Sequence, residues 1–540
     1  MRNKRLQVWL PLILSLCMVA GMFIGYRIKG NMPNKGIFFV ERQKPVQEVL
    51  DLIQRKYVDN ENLDSLGNLA IQAILQGLDP HSIYLPVQEL KEANEDLQGV
   101  FYGIGVEFNI INDTTNVLNV LPEGPSEKAG LLTGDKIIKV GDSLIAGNST
   151  SAETLKKLLR GPRGAKVTIS ILRNNELQSI TITRGAIPLF SLDAAYMVND
   201  TIGYIRLNKF SETTYREFMQ GMEKLQAKGM TSLIFDLRDN GGGILTEATN
   251  IADEFLDGNK LITYTECVNS PRREYFCDKE GIFEKGQLIV LANEGTASAS
   301  EVIIGALQDY DRAIIVGRRT FGKGLVQEQY ELSDGSGLRL TVARYFTPLG
   351  RGIQKSYNKG RDAYSKDLIN RFTNGEMTSS DSIKHSEMKE YVTGKGKILY
   401  AGEGITPYVF VPYDTLIFDK NVMKILMSGM LNEFVYRNYL QNKKQFDAFK
   451  NPAEFNKSYK VDDSTFSRLI TMAKRDSIQL SLTNPTEKSQ ISRQIKSLMA
   501  RQIWRKEGFF EVNNAHDDVV KKAIELLQPQ KEKISKNNRK

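Results

Sequence analysis

The chain has 540 residues, 41% of them hydrophobic and 25% charged, which is more than one core supports and predicts a globular protein of several domains. Its net charge of +8 is spread along the sequence, and the densest basic runs are the two termini, residues 1–5 and 531–540, so a nucleic-acid-binding protein is disfavoured. Three cysteines exclude a disulfide framework; only Cys267 and Cys277, which flank a turn-rich segment, could form a bridge, and two reduced thiols are equally compatible.

The N-terminus carries the first predicted element. Basic residues among the first five precede residues 8–26, a run of 26 − 8 + 1 = 19 residues without a charge. A run of about 20 apolar residues crosses a bilayer, and flanking positive charge keeps that end in the cytoplasm. We therefore predict a single-pass signal anchor (1–30) in the inner, cytoplasmic membrane, with all later domains on the periplasmic side. A cleaved signal peptide or a lipid anchor at Cys17 are the alternatives.

Residues 42–98 show apolar residues at helical spacing and predict a helical segment. The run LDPHS (78–82) separates its second and third helices. His81 is one of only three histidines, so it is a candidate catalytic base. Pro80 forces a turn there and Asp79 or Ser82 can cap a helix, so we interpret the run as a structural turn.

From residue 99 to 186 the pattern changes to short strands, with glycines in the run 102–108 and the run GDKII at 134–138. This stretch resembles a PDZ domain in the permuted order found in bacterial proteases. Such a domain binds an extended peptide by adding it to a sheet edge, with the peptide carboxylate in a nest of N–H groups. The resemblance assigns the carboxylate-binding loop to Gly103, Ile104, Gly105 and Val106.

Two apolar strand runs, 203–206 and 232–237, flank a predicted helix and indicate a parallel pair with a right-handed crossover. The second run continues into DLRDNGGG (236–243), which opens another helix. A glycine-rich turn at a helix start presents free N–H groups to negative charge. The anion that binds there is either a phosphate or an oxyanion formed during acyl transfer, and this motif alone does not distinguish the two.

The run 286–332 carries the predicted chemistry. A strand leads into the small-residue turn GTASAS and a helix, and a second strand leads into Gly322-Lys323-Gly324 and a third strand. One hydroxyl at a strand-to-helix turn and one lysine in a glycine turn suit a nucleophile with an amine as its base. We therefore predict a serine peptidase that uses Ser298 and Lys323.

A lysine base must be neutral, and the ordinary lysine pKa of about 10.4 keeps the amine protonated at neutral pH. Burial lowers that pKa, and the neighbours Phe321, Leu325 and Val326 could supply it. No acidic residue occurs in 313–327, so we expect nothing nearby in sequence to hold the ammonium charged. Gln327 could orient the amine without adding charge.

The amide of Ala299 is unpaired at the start of its helix and can donate to an oxyanion. Ser300 and Thr296 are rival nucleophiles on local chemistry, and these two hydroxyls could instead cap the helix. A histidine base is disfavoured because none of the three histidines lies near the glycine turns in sequence; His385 and His516 are interpreted as loop and capping residues.

A nucleotide-binding alternative rests on GRRTFGKG (317–324), which matches most of a phosphate-binding P-loop. Gly324 replaces the Ser or Thr that would hold magnesium, and a strand pattern follows where a P-loop opens a helix. Beyond this run, the polar stretch 358–393 predicts an inserted mobile loop. Helical periodicity dominates after residue 418.

Taken together, TASASE (296–301), the run 236–243 and Gly322-Lys323-Gly324 with Gln327 resemble the C-terminal processing peptidases, or tail-specific proteases. The resemblance covers roughly residues 42–415. It implies that Ser298 is the nucleophile, Lys323 the general base and Gln327 the residue that positions the lysine; the separation 323 − 298 = 25 agrees with the family. It further implies an oxyanion hole formed by the amides of Ala299 and of Gly242 or Gly243.

The sequence as a whole predicts an α/β (α+β multidomain) fold. The part that the resemblance covers comprises a helical segment (42–98), a PDZ domain (99–186) and a split protease core (187–415), and an N-terminal anchor (1–30) and a helical extension (416–540) flank it. The expected activity is cleavage of exported proteins near their C-termini, with the PDZ domain binding the tail and gating the site, and with no metal or cofactor. The partners are proteins with exposed C-terminal tails; the extension could bind an adaptor or drive homo-oligomerisation. The non-enzymatic alternative is a catalytically silent, membrane-tethered PDZ scaffold.

Overall fold

The computed structural model describes residues 9, 11, 14–23, 45–268, 271–383, 388–414 and 419–528. The chain divides into two compact units, Met1–Ile74 and Leu75–Lys540. In the first unit, residues 14–23 are helical, helix α1 spans Pro45–Lys56, and helix α2 (Leu63–Gln76) begins. Among the residues given above, no helix is both long and apolar enough to span a bilayer. Part of the run 8–26 lies outside the described residues, and the signal anchor stays a prediction.

The second unit starts with the 79–82 turn, strand β1 (Ile83–Leu85) and helix α3 (Val87–Gln98), which ends at Gly99 in a left-handed conformation. Residues 100–188 then form a small antiparallel sheet closed by a short strand pair, as expected for a PDZ domain. Its elements are β2 (Val100–Gly103), β3 (Val106–Ile111), β4 (Thr114–Val120), α4 (Pro125–Lys128), β5 (Lys136–Val140), β6 (Ser143–Leu144), α5 (Ala152–Leu159), β7 (Lys166–Arg173), β8 (Glu176–Thr183) and β9 (Gly185–Pro188).

In this sheet the strand order is β3-β4-β5-β7-β8, with β6 on β5, and β2 pairs with β9 outside it. Alternating side chains of the strands point to one face, where α5 covers a core that includes Val117, Ile137, Leu155 and Ile169. Ser151 caps α5 by accepting a hydrogen bond from the Thr154 amide. Strand β3 is an edge strand of this sheet. A further strand could therefore pair with β3 on the side that faces α5.

The protease core is built on a six-stranded sheet. Its elements are β10 (Leu192–Met197), β11 (Ile202–Leu207), α6 (Thr214–Gln226), β12 (Ser232–Asp236), α7 (Leu245–Asp253), β15 (Gln287–Ala292), α8 (Ala299–Asp309), β16 (Ile314–Gly317) and β21 (Val409–Phe410). The strand order is β10-β11-β12-β15-β16-β21; β10 is antiparallel to β11 and the others run parallel. Because the carboxyl ends of parallel strands meet at one edge, the turns after β12, β15 and β16 lie close together.

Both faces of this sheet are covered, which explains its continuous apolar strand sequences. Helices α6, α7 and α8 pack on one face around Phe218, Phe235 and Phe255. The other face packs against Val520 and Ala523 of the last helix.

A second, antiparallel sheet lies in the same unit. Its strands are β1, β13 (Leu261–Glu266), β14 (Arg273–Phe276), β17 (Leu325–Glu331) and β18 (Gly337–Phe346). The long strand β18 pairs with β1, β13 and β17, so it joins the start of the unit to the segment that follows Lys323. Cys267 and Cys277 flank β14 and are not joined by a disulfide.

The stretch predicted as a mobile loop, 358–393, is instead partly folded. It contains α9 (Arg361–Ser365), α10 (Asp367–Thr373), a single 3₁₀ turn (Ser380–Ser382) and β19 (Glu390–Val392), which pairs with β20 (Ile398–Tyr400). Two of its charged residues, Arg371 and Glu376, are buried and paired. Glu376 bonds Arg319 at 2.6 Å, with both side chains 6% exposed. His385 lies outside the described residues.

The C-terminal region is helical, as predicted. Its helices are α11 (Lys420–Met427), α12 (Met430–Gln441), α13 (Lys443–Phe446), α14 (Pro452–Ser458), α15 (Asp463–Arg475), α16 (Pro485–Asn514, interrupted at Trp504 and Arg505) and α17 (Asp518–Leu527). Helices α11 to α16 enclose their own hydrophobic core, whereas α17 packs on the six-stranded sheet. Side chains of this region also donate to main-chain carbonyls of β4: Tyr436 to Val117 (3.1 Å) and Gln502 to Leu118 (2.7 Å).

Candidate active site

Ser298 lies between β15 and α8, as the N-cap residue of α8. Its backbone has φ 57° and ψ −119°, a strained conformation that is uncommon outside glycine and concentrated at functional sites. The Ser298 amide donates to Glu301 Oε2 (2.9 Å), and its carbonyl accepts from the Tyr345 hydroxyl (2.9 Å). These bonds hold the strained turn, and the partly exposed Ser298 side chain lines a cleft.

The two rival hydroxyls are buried and occupied. Thr296 Oγ1 donates to the carbonyl of Leu237 at 2.8 Å, and Ser300 Oγ donates to the carbonyl of Asn240 at 3.0 Å. Both side chains are fully buried, so neither hydroxyl is accessible to a substrate. They fix the turn on either side of Ser298 instead.

Lys323 precedes β17 and reaches the same cleft. Its Nζ donates to Gln327 Oε1 at 2.9 Å. Burial lowers the pKa of the Lys323 ammonium below its ordinary value; the positive charge of Arg339 lowers it further, whereas Glu301 and Asp79 oppose the shift. The net direction is the one that a general base requires.

The run 313–327 has no acidic residue, but the fold brings Glu301, 22 residues before Lys323 in sequence, to the lysine turn. This carboxylate is fully buried and accepts the main-chain amides of Ser298 (2.9 Å), Gly322 (2.8 Å) and Lys323 (2.8 Å), together with the Thr320 hydroxyl (2.5 Å). Desolvation raises the pKa of Glu301 to about 6, although these hydrogen bonds oppose it. Glu301 thus joins the nucleophile turn to the lysine turn.

A sequence signal for Glu301 was present. Ser298-x-x-Glu301 has the spacing of a helix capping box, in which the acidic residue reaches back to the amide of the cap. Tyr345 and Arg339, which both lie on β18, carry no such local signal. The Tyr345 hydroxyl also donates to the carbonyl of Lys323, so it contacts both turns.

The glycine turn (240–243) packs directly against the nucleophile. A Cβ atom on Gly242, whose φ is +97°, would lie 2.8 Å from Ser298 Cβ and 2.9 Å from the amide nitrogen of Ala299. The Gly242 amide donates to Asn240 Oδ1 at 2.9 Å, whereas the amides of Gly243 and Ala299 donate to no other residue that the structure describes. Of the two predicted glycines, Gly243 therefore has the available donor.

These predicted residues surround one cleft of about 580 Å³. It is lined by the glycine turn, by Ser298 and Ala299, and by Lys323 and Gln327. Residues that the sequence did not indicate complete the wall: Ala93, Asp96, Leu97, Lys209, Arg339 and Tyr345.

The P-loop alternative does not fit this geometry. The amides of Gly322 and Lys323, which would bind a phosphate, are occupied by Glu301, and the run continues into strand β17 where a P-loop opens a helix. A carboxylate that accepts these amides repels a phosphate. The structure therefore offers no nucleotide site at residues 317–324.

The predicted carboxylate-binding loop lies at a separate pocket of about 110 Å³, lined by its four residues together with Phe101, Phe108, Lys156, Leu159 and Arg160. The carbonyls of Ile104 and Gly105 accept from Ser126 and Leu121, which turns them into the domain. Within the described parts of the chain, the amides of Ile104 and Gly105 have no hydrogen-bond partner. They are available to a carboxylate.

A strained serine and a part-buried lysine that line one cleft together with free amides form the arrangement of a serine-type peptidase. Comparisons with known proteins agree with it. Peptidase family S41 matches residues 201–360, a PDZ domain matches residues 103–183, and a family of unknown function matches residues 422–505.

Two curated relatives extend the match over most of the chain. The carboxy-terminal-processing protease of Bartonella bacilliformis is 31% identical over 373 residues, which cover 68% of this chain and 83% of that protein. A probable CtpA-like serine protease of Staphylococcus saprophyticus is 33% identical over 333 residues, covering 60% of this chain and 67% of that protein. Among solved structures, the photosystem II D1 C-terminal processing protease is 27% identical, with coverage of 69% and 93% and a TM-score of 0.34.

The chain therefore belongs to peptidase family S41 and is a serine-type carboxy-terminal-processing protease with a PDZ domain. The resemblance stated from its motifs is confirmed. The catalytically silent scaffold is not supported.

Proposed function

We propose that the protein cleaves exported proteins near their C-termini with a Ser298–Lys323 dyad, and that its PDZ domain binds the substrate tail and gates the site. The observation that carries the proposal is the single cleft lined by a strained serine, a lysine of lowered pKa and two unpaired amides. No other hydroxyl in this turn is accessible.

In the first step, neutral Lys323 takes the proton of Ser298 Oγ, and Oγ bonds to the carbonyl carbon of the scissile peptide. The resulting oxyanion accepts hydrogen bonds from the amides of Ala299 and Gly243; Gly242 can contribute only if it releases Asn240. The carbon–nitrogen bond then breaks, and the leaving amine takes the proton from the Lys323 ammonium. Neutral Lys323 then takes a proton from water, and the hydroxide attacks the ester carbon. The bond from that carbon to Ser298 Oγ breaks, and the Lys323 ammonium returns the proton to Oγ.

The PDZ pocket supports tail binding. A free α-carboxylate would accept the amides of Ile104 and Gly105, and the last side chain of the tail would enter a small, mainly apolar pocket with Lys156 and Arg160 at its rim. The tail would be bound at one pocket and cut at another, and in this proposal binding at the first controls access to the second. The apolar run 8–26 supports a single-pass inner-membrane protein with the cleft on the periplasmic side, where exported substrates fold.

Comparison of protein C-termini tests the proposed function. The extracytoplasmic proteins of cells that produce the wild-type chain are expected to acquire new C-termini, shortened from the original ends, and cells that produce the Ser298→Ala variant should lack them. Mass spectrometry of C-terminal peptides makes the comparison. Cuts scattered along the substrates, or the same products with the variant, would contradict the proposal.

Tail binding has its own prediction. In a Ser298→Ala background, Gly105→Ala should weaken binding of a fluorescent peptide ending in valine by at least about tenfold, or about 1.4 kcal/mol. Gly105 has φ +76°, where a side chain is strained, and a Cβ atom there would lie 3.0 Å from Ile187 Cδ1 and 3.3 Å from Leu121 Cβ, so the loop or these two side chains must shift. Fluorescence anisotropy measures the affinity. Gly147→Ala is the matched control, since φ is +70° and nothing lies within 4 Å. Equal binding of the amidated peptide would exclude carboxylate recognition.

A further inference from the structure

The 79–82 turn, interpreted from sequence as merely structural, connects to the proposed base through one side chain. Gln327 Nε2 donates to the main-chain carbonyl of His81, and Gln327 Oε1 accepts from Lys323 Nζ at 2.9 Å. A carbonyl oxygen can only accept, so the amide group of Gln327 has one orientation, with its oxygen toward the lysine. The position of the His81 carbonyl therefore decides which atom Lys323 meets.

Asp79 fixes that carbonyl. Its Oδ1 accepts the amides of His81 (2.8 Å) and Ser82 (3.0 Å), and its Oδ2 accepts the Ser82 hydroxyl (2.5 Å). Asp79 is 8% exposed and Ser82 is fully buried. The peptide units on both sides of His81 are thus held by one buried carboxylate.

Thr341 ties the same turn to the strand that faces Gln327. Thr341 is the cross-strand partner of Gln327 in the β17–β18 pair. Its amide donates to Ser82 Oγ (3.1 Å) and its hydroxyl donates to Asp79 Oδ1 (2.9 Å). The pairing register shifts between Val326 and Gln327, and such a bulge re-aims a side chain. The 79–82 turn and Gln327 are therefore both positioned by Thr341.

The imidazole of His81 has a different environment. Its Nε2 lies 2.7 Å from the Tyr364 hydroxyl, and its ring packs edge-on against Tyr364 and Phe321. Among the described residues its ring has no hydrogen bond to Ser298, Lys323 or Gln327. His81 therefore contributes to this chain of contacts through its main chain.

We propose that Asp79 and Ser82 are positioning residues for catalysis: they hold the His81 carbonyl where it orients Gln327, which in turn orients Lys323. This inference rests on the proposed role of Lys323. It assigns the LDPHS run a function at the active site although none of its side chains contacts the nucleophile.

A double-mutant cycle tests the inference with a quenched fluorescent peptide ending in valine. Asp79→Ala is expected to lower kcat about 100-fold, since displacement of a catalytic group by about 1 Å has effects of this size, while KM changes little. The milder Ser82→Ala should lower kcat about tenfold. In a Gln327→Ala background neither change should lower kcat further, because the turn acts through that glutamine.

His81→Phe is the matched control, since it removes the imidazole, keeps an aromatic ring and preserves the carbonyl; kcat should stay within about threefold of wild type. The inference is overturned if Ser82→Ala lowers kcat equally with and without Gln327, which is the result of a merely structural role. It is also overturned if Gln327→Ala leaves kcat unchanged or if His81→Phe abolishes it. Lys323→Met separates these outcomes from a failure of the proposed function. Wild-type cleavage by Lys323→Met would reject Lys323 as the base, whereas an inactive Lys323→Met leaves only the inference about the 79–82 turn to be decided by the cycle.

Discussion

Ser298→Ala and Lys323→Met are each expected to lower kcat/KM for tail cleavage at least about 1,000-fold, with peptide binding retained. The first change removes the atom that attacks. The second keeps an unbranched, part-buried side chain at position 323 but removes the amine that takes the proton. Hydrolysis of the valine-ended fluorescent peptide measures activity, and anisotropy measures binding.

Lys166→Met, at an exposed position of the PDZ sheet, is the matched control and should retain wild-type activity. Unchanged cleavage in both Ser298→Ala and Lys323→Met would reject the dyad.

The pH dependence of cleavage gives a second test of the dyad. Protonated Lys323 cannot accept a proton, so activity should rise with pH through the lysine pKa. Since burial and Arg339 lower that pKa, the rise should lie below the range of an ordinary lysine.

The sequence predicts those parts of the site that depend on short motifs around a single residue. Ser298 follows an apolar strand and precedes a helical pattern, and Lys323 lies between two glycines. Each turn can therefore be recognised from the few residues around it. Parallel strands end at one edge of a sheet, which is why two such turns could be expected to meet. The strand–helix–strand order of the core has the same origin.

The parts that sequence does not predict depend on contacts between distant segments. Gln327 and His81 are 246 residues apart, and nothing in either run indicates that an amide meets a carbonyl. The pKa of Lys323 likewise depends on charges from three separate segments, at Arg339, Glu301 and Asp79. Local sequence motifs therefore identify Lys323 as the base but do not identify the distant residues that orient it.

For the stretch 358–393 the sequence leads to a wrong prediction, since it indicates a mobile loop where the structure is partly folded. Its charge-rich composition predicts an exposed loop, because charged residues are usually solvated. In the structure Arg371 and Glu376 are buried, Glu376 pairs with Arg319, and Arg371 pairs with Asp367 at 3.0 Å. Buried charges require partners, and composition alone does not reveal them.

Gly242→Ala is the second change with a large expected effect, a loss of at least about 100-fold in kcat. The new Cβ atom would lie 2.8 Å from Ser298 Cβ and 2.9 Å from both the Ala297 carbonyl and the Ala299 amide. These contacts are shorter than van der Waals distances, and φ at Gly242 is +97°, where side chains are strained. The nucleophile and the amide beside it must therefore move apart from the glycine turn.

The neighbouring glycine separates this effect from a general sensitivity of the turn. A Cβ atom on Gly241 would meet nothing within 4 Å, so Gly241→Ala should keep activity near the wild-type level. Both variants should bind the valine-ended peptide with unchanged affinity, because the PDZ pocket is separate from the cleft. Equal activity of the two variants would mean that close packing of Gly242 against Ser298 is not required for catalysis. A selective loss in Gly242→Ala would instead show that the two turns must stay in contact while the oxyanion forms.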